Sequence, residues 1–152
     1  IMSGLAELLD TKTIFLDASI NDVKALFDLA GQNFENLTGL SASQISQCLM
    51  DREKLGSTGL GVGVAIPHGR VKGLKQPLAG FYRLTKPIEF NAPDKEPVDV
   101  AIILLVPEQA TQKHLDLLSE IAQILSDGSR RDALRHETNS KKLLATITGQ
   151  VA

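Results

Sequence analysis

A chain of 152 residues suffices for one domain with a sizeable buried core. Hydrophobic residues make up 43% and charged residues 22%, an ordinary globular balance, and the net charge of −2 argues against a nucleic-acid binder driven by a basic face. The single cysteine, Cys48, rules out an intramolecular disulfide and leaves too few thiolates for a zinc or iron–sulfur site.

A reducing cytoplasm is the compartment expected from this cysteine usage. No apolar run approaches the ~20 residues of a membrane span, and no signal-peptide pattern is visible at the N-terminus.

In chain order, a short helix is expected over Ser3–Leu9, with Leu5, Leu8 and Leu9 on one side. Thr13–Leu16 reads as a short strand. Ser19 reads as an N-cap with Asp22 in the capping-box position. Val23, Leu26, Phe27, Ala30, Phe34 and Leu37 follow at helical spacing. A second helix should start at Ser41 with Gln44 as its capping partner. Its apolar side carries Ile45, Cys48 and Leu49, and Gly56 is placed to end it.

Ser57–Arg70 is Gly-rich and is expected to hold a strand in part, with Pro67 barring a normal continuation of ladder or helix. Leu78–Leu84 reads as a strand and Thr85–Pro97, with three prolines, as a loop. Val98–Val106 is nearly continuous in aliphatics, the mark of a strand buried on both faces, so helices must cover both sides of the sheet. Thr111 begins the third long helix, whose stripe is Leu115, Leu118, Ile121, Ala122 and Leu125. Asp127-Gly128 stops it, and two shorter helices follow from Ser129 and Ser140. The pattern is of the α/β class, without internal repeats or linkers.

Three residues could carry chemistry. His68 sits between Pro67 and Gly69 in a Gly-rich loop, where the glycine leaves space beside the ring and lets the backbone turn, a context that fixes the direction of an imidazole. Near its usual pKa of ~6.5 that ring keeps a free lone pair at neutral pH and can attack phosphorus. The competing reading is a plain surface histidine in a turn. His114 falls at about the third residue of the helix begun by Thr111, where unpaired N–H groups and the dipole suit an anion. Taken alone it reads more readily as a half-buried packing residue. Arg52 continues the buried line of its helix, where a guanidinium calls for an anionic partner such as a phosphoryl oxygen. Equally, it could complement the helix C-terminus.

Other chemistries fit worse. The Gly-rich segment lacks G-K-[ST], and Val64 stands where G-x-G-x-x-G needs its third glycine. No two of His68, His114 and His136 have i, i+4 spacing for a metal. Asp94, Glu96 and Asp99 read as a solvated loop. Cys48, on an apolar helix face, makes no nucleophile pair. Neither a cofactor nor a metal is expected.

Three blocks carry a resemblance: T-G-L-G-V-G-V-A-I-P-H-G-R at Thr58–Arg70, P-I-E-F-N-A-P-D-K-E-P-V-D at Pro87–Asp99, and L-L-V-P-E-Q-A-T-Q-K-H-L-D-L-L at Leu104–Leu118. D-R-E-K-L-G-S-T at Asp51–Thr58 also fits. With these, the chain resembles the enzyme IIA components of the bacterial phosphoenolpyruvate phosphotransferase system, mannitol/fructose type, and within it the nitrogen-related members. The resemblance spans roughly residues 5–149, read as one IIA domain. It departs at Val62, where a polar residue is common, which bears on the rim of the site and a partner contact.

The resemblance implies a single mixed β-sheet with helices on both faces. It implies that His68 accepts a phosphoryl group through Nε2 from a histidine phosphocarrier protein, that His114 lies against His68 and supports the phosphorylated form, and that Arg52 neutralises phosphoryl charge. A chain of this length, without a fused IIB domain or membrane part, is expected to act in nitrogen- or potassium-type regulation. Its partners would be a potassium transport system or a sensor kinase, chosen by its phosphorylation state. The alternatives are a sugar-specific IIA that passes phosphate to a IIB domain, and a non-enzymatic binding module.

Overall fold

The computed structural model describes residues 4–149. Ser3, expected to open the first helix, lies outside them. The elements run α1 (Gly4–Leu8), a 3-10 turn (Thr11–Thr13), β1 (Ile14–Ala18), α2 (Val23–Thr38), α3 (Ala42–Lys54), β2 (Gly59–Gly61), β3 (Val64–Ala65), β4 (His68–Val71), β5 (Leu78–Ile88), β6 (Val98–Pro107), α4 (Gln112–Ser126), α5 (Gly128–His136) and α6 (Ser140–Thr148).

The sheet order is β1-β5-β6-β3-β2, with β4 also paired to β6. β1 runs parallel to β5, β3 and β4 run parallel to β6, and the β5/β6 and β2/β3 pairs are antiparallel. The sheet is therefore mixed, as the resemblance implied. Strand β6 alternates its side chains between two cores. Val100, Ile102 and Leu104 meet Leu117, Ile121 and Leu125 of α4, together with residues of α1, α5 and α6. Ala101, Ile103 and Leu105 meet Leu26, Phe27 and Phe34 of α2 and Ile45 and Leu49 of α3. Helices cover both sides, as the aliphatic run of β6 required.

Several local expectations are corrected. The cap of α2 is Asp22, whose side chain accepts from the Ala25 N–H at 2.8 Å, and not Ser19. Leu37, read as part of the buried stripe of α2, is 50% exposed. Ser41 does cap α3, accepting from the Gln44 N–H at 3.2 Å, but the Gln44 side chain reaches Lys72 O instead of returning to the cap. α3 ends at Lys54 with Leu55 as its cap, just before Gly56. β5 continues through Pro87 to Ile88, into the stretch read as a loop. A register shift between Arg83 and Ile88 leaves Pro87 without a ladder bond to make, which is how a strand tolerates proline. On α4, Leu115 is 45% exposed, and Leu117 and Ile124 are buried in its place.

Two features of the fold build the site. α2 and α3 pack so closely at Gly31 that a Cβ there would overlap the Ala42 carbonyl. β3 and β4 lie along β6 in one continuous register, Val64 opposite Val100 and His68 opposite Leu104, interrupted only at Ile66-Pro67. Pro67 contributes its carbonyl, which accepts from the Leu104 N–H at 2.9 Å, and has no N–H to leave unpaired.

Candidate functional site

Strand β2 flanks β3 only as far as Ile66, whose N–H donates to Thr58 O at 3.1 Å. Beyond that point the outer edge of β4 faces α3, and a cleft of about 710 Å³ opens between α3, β4 and α4. A second cavity of about 310 Å³ lies on the Thr58–Leu60 side. His68 and Arg52 line both. The histidine begins a strand and is half-buried, so it is less a loop residue than its Gly-Pro neighbours implied.

Gly69 has a different purpose from the turn expected of it. It lies within β4, and a Cβ there would stand 2.6 Å from Cys48 Sγ. Glycine lets α3 approach the strand. Cys48 fills that contact, its thiol donating to Arg70 O at 3.0 Å, and burial pushes its pKa up. This is a packing thiol, in keeping with its place on an apolar face.

The His68 ring is held at both nitrogens. Nδ1 is 2.8 Å from the Ile66 carbonyl. A carbonyl only accepts, so Nδ1 carries the proton, and the neutral ring keeps its lone pair on Nε2. Arg52 Nε donates toward that Nε2 at 3.3 Å, while Arg52 Nη1 donates to Gly56 O at 2.8 Å. Arg52 thus meets His68 while binding a carbonyl just past the helix end. Burial pushes the His68 pKa below its ordinary value; the Ile66 hydrogen bond acts the other way, the Arg52 charge lowers it further, and Glu53 raises it. The ring is neutral at neutral pH, the state a nucleophile needs.

His114 lines the larger cleft with His68 and Arg52. It is the third residue of α4, as expected, and Nδ1 accepts from the Thr111 N–H at 3.1 Å. In the neutral ring the proton is therefore on Nε2, a donor suited to an anion in the cleft. Its hydrogen bond is to the start of its own helix, whereas the His68 ring is held by Ile66 and by Arg52 of α3; both rings line one cleft.

The remaining groups serve elsewhere. Val62, at the β2–β3 turn, has φ 50°, a left-handed value costly for a β-branched residue. Its N–H donates to Asp94 Oδ2 at 2.8 Å and its carbonyl accepts from Arg135 Nη2 at 2.6 Å. Arg135 also pairs with Asp99 at 3.1 Å. Asp94 and Asp99 therefore brace this turn, and among the described residues no group of three or more His, Cys, Asp or Glu could hold a metal ion. His136 is exposed at the end of α5, 3.4 Å from Asp132. Sequence reasoning passed over Glu53, whose carboxylate binds Thr58 twice, at 2.9 and 2.6 Å. Its only signal was adjacency to Arg52.

An imidazole with a free Nε2 lone pair, a guanidinium and a helix N-terminus border one cleft, and comparison with known proteins supplies the class. Residues 7–150 match the family described as "Phosphoenolpyruvate-dependent sugar phosphotransferase system, EIIA 2", and the chain belongs to that family. Among its relatives, the nitrogen regulatory protein of Pseudomonas aeruginosa is 42% identical over 124 residues, which cover 82% of this chain and 80% of that protein. The crystal structure of the nitrogen regulatory protein IIA-Ntr from Neisseria meningitidis superposes with a TM-score of 0.92 at 44% identity, covering 96% of this chain and 100% of that one. The Escherichia coli mannitol enzyme IIA, solved in complex with phosphorylated mannitol enzyme IIB, shares the fold with a TM-score of 0.79 at 22% identity, covering 93% and 97%. Among the described residues no helix is long and apolar enough to cross a membrane.

Proposed function

We propose that the chain is a phosphoryl carrier that accepts a phosphoryl group on His68 Nε2 from a histidine-phosphorylated carrier protein, and regulates other proteins through its phosphorylation state. One observation carries this reading: the bond from Nδ1 to the Ile66 carbonyl leaves the Nε2 lone pair unprotonated in a cleft, beside a guanidinium.

In the transfer, Nε2 attacks phosphorus in line with the donor's phosphorus–nitrogen bond. A new phosphorus–nitrogen bond forms at His68 as that bond breaks, and its electron pair returns to the donor's ring nitrogen. Nδ1 keeps its proton and its bond to Ile66, so no proton has to move within the acceptor. Arg52 turns its fork from Nε2 to the incoming phosphoryl oxygens, and His114 offers its Nε2–H to them. Positioning and charge stabilisation supply the catalysis.

Regulation is favoured over sugar transport because the relatives at 42% and 44% identity are nitrogen regulatory proteins, whereas the likeness to the mannitol enzyme is one of fold. The decisive experiment is incubation with phosphoenolpyruvate, enzyme I and the phosphocarrier protein. An acid-labile, alkali-stable adduct should appear and be absent in His68→Ala. Labelling that survives the substitution removes His68 as acceptor, and no labelling of the native chain favours a binding module. Rapid discharge to a IIB domain would shift the reading to a sugar-specific IIA.

A further inference from the structure

We infer that Glu53 is a positioning residue for the phosphoryl acceptor, acting on the His68 ring through a hydrogen-bond chain that runs Glu53, Thr58, Ile66, His68. The inference rests on the reading of His68 as acceptor.

The chain begins in the last turn of α3. Glu53 Oε2 accepts from the Thr58 N–H at 2.9 Å, and Oε1 accepts from the Thr58 hydroxyl at 2.6 Å. Thr58 is only 6% exposed, so water is poorly placed to replace either bond. A carboxylate suits the task because two adjacent oxygens meet two donors on one residue; a carboxamide has one acceptor. Thr58 passes the constraint on through its carbonyl, which accepts from the Ile66 N–H at 3.1 Å. The next residue is Pro67, which has no N–H, so this bond is the last backbone donation toward β2 before His68. The Ile66 carbonyl then takes the Nδ1 proton at 2.8 Å.

The geometry gives consecutive residues of one helix opposite ends of one ring. Arg52 meets Nε2 directly, and Glu53 governs Nδ1 through two intermediaries. If the Thr58–Ile66 segment drifts, the carbonyl that selects the Nδ1–H tautomer drifts with it. The lone pair is then shared between the two nitrogens. Glu53 also carries a negative charge near the ring, which favours its protonated form, although burial outweighs it.

The test reads the ring itself, with no phosphoryl donor present. In ¹⁵N NMR of the full chain, with His68 neutral, the native protein should show the Nδ1–H tautomer. Glu53→Ala and Thr58→Val, each losing a bond of the chain, should show a mixture containing Nε2–H, and phosphorylation by the phosphocarrier protein should slow at least about tenfold. Thr58→Ser, which restores the hydroxyl, should bring back the native tautomer. Should Glu53→Ala fail to fold, Glu53→Gln and Thr58→Val carry the test. A native tautomer in these folded variants, whatever their loss of Tm, overturns the proposal and leaves Glu53 a structural residue. Failure of the native chain to be phosphorylated would strike the proposed function instead, and the tautomer reading, which needs no donor, would still decide for or against Glu53.

Discussion

The two walls of the cleft are built differently. On the α3 side, the helix is seated on the strand that carries His68: Cys48 bonds to Arg70 O, Gly69 leaves room for it, and Arg52 spans from the ring to Gly56. On the α4 side, His114 accepts from the Thr111 N–H of its own helix start, Leu118 is partly buried, and Leu115 stands 45% exposed at the rim. One wall is preorganised against the nucleophile; the other presents an edge. On the function proposed above, a site that receives from one protein and releases to another needs both, a fixed charge at the reacting atom and an accessible border for the partner.

The contrast can be broken first at Gly69. Gly69→Val puts a branched side chain into Cys48 Sγ and should push α3 away, at a cost of roughly 1–3 kcal/mol and with most phosphorylation activity lost. Thermal unfolding and the labelling rate check this together. Adding Cys48→Ala should return part of the stability, and strict additivity of the two changes would show that they do not share the contact.

Arg52→Ala comes next. Removing one charged donor from the reacting centre should slow phosphorylation by roughly 10²–10³-fold. The fold should survive, because among the described residues the side-chain bonds lost reach His68 and Gly56 O. Unfolding in place of slowing would mean that the arginine serves the helix end.

His114→Ala should have a smaller effect. Acceptance of phosphate should persist, while the lifetime or onward transfer of the phosphohistidine changes several-fold, by a hydrogen bond's worth of stabilisation. Identical lifetimes in variant and native protein would reduce His114 to a helix-start residue.

The smallest effect is in pH. Burial disfavours the imidazolium of His68, so its NMR titration midpoint should lie below the ordinary ~6.5. The folded state then binds fewer protons than the unfolded chain. The associated stability is fully present above the unfolded value and is lost as pH falls through the folded one. A midpoint above the ordinary range would contradict the burial argument.

Much of this was legible in residue pattern. The aliphatic run of β6 required helices on both faces, Thr111 marked the start of α4, and the P-H-G block singled out His68. What was hidden depends on tertiary contact. Pro87 looked like a loop residue because nothing local reveals the register shift that carries β5 past it. Leu115 fits a helical stripe as well as Leu117 does, and only the orientation of α4 against the sheet separates them. Gly69 looked like a turn residue, though its reason is a sulfur atom on another element. Glu53 gave no sign beyond its place next to Arg52, since its partner Thr58 lies beyond the helix end and its effect reaches the ring through two backbone groups.

The central claim is that Nδ1 is occupied and Nε2 of His68 takes the phosphoryl group. NMR of the phosphorylated, ¹⁵N-labelled chain measures this directly, through the ³¹P–¹⁵N coupling and the ring-nitrogen shifts. The account predicts a single phosphohistidine, at His68, with phosphorus on Nε2 and the proton retained on Nδ1. Phosphorus on Nδ1, or on His114 or any other residue, would contradict it.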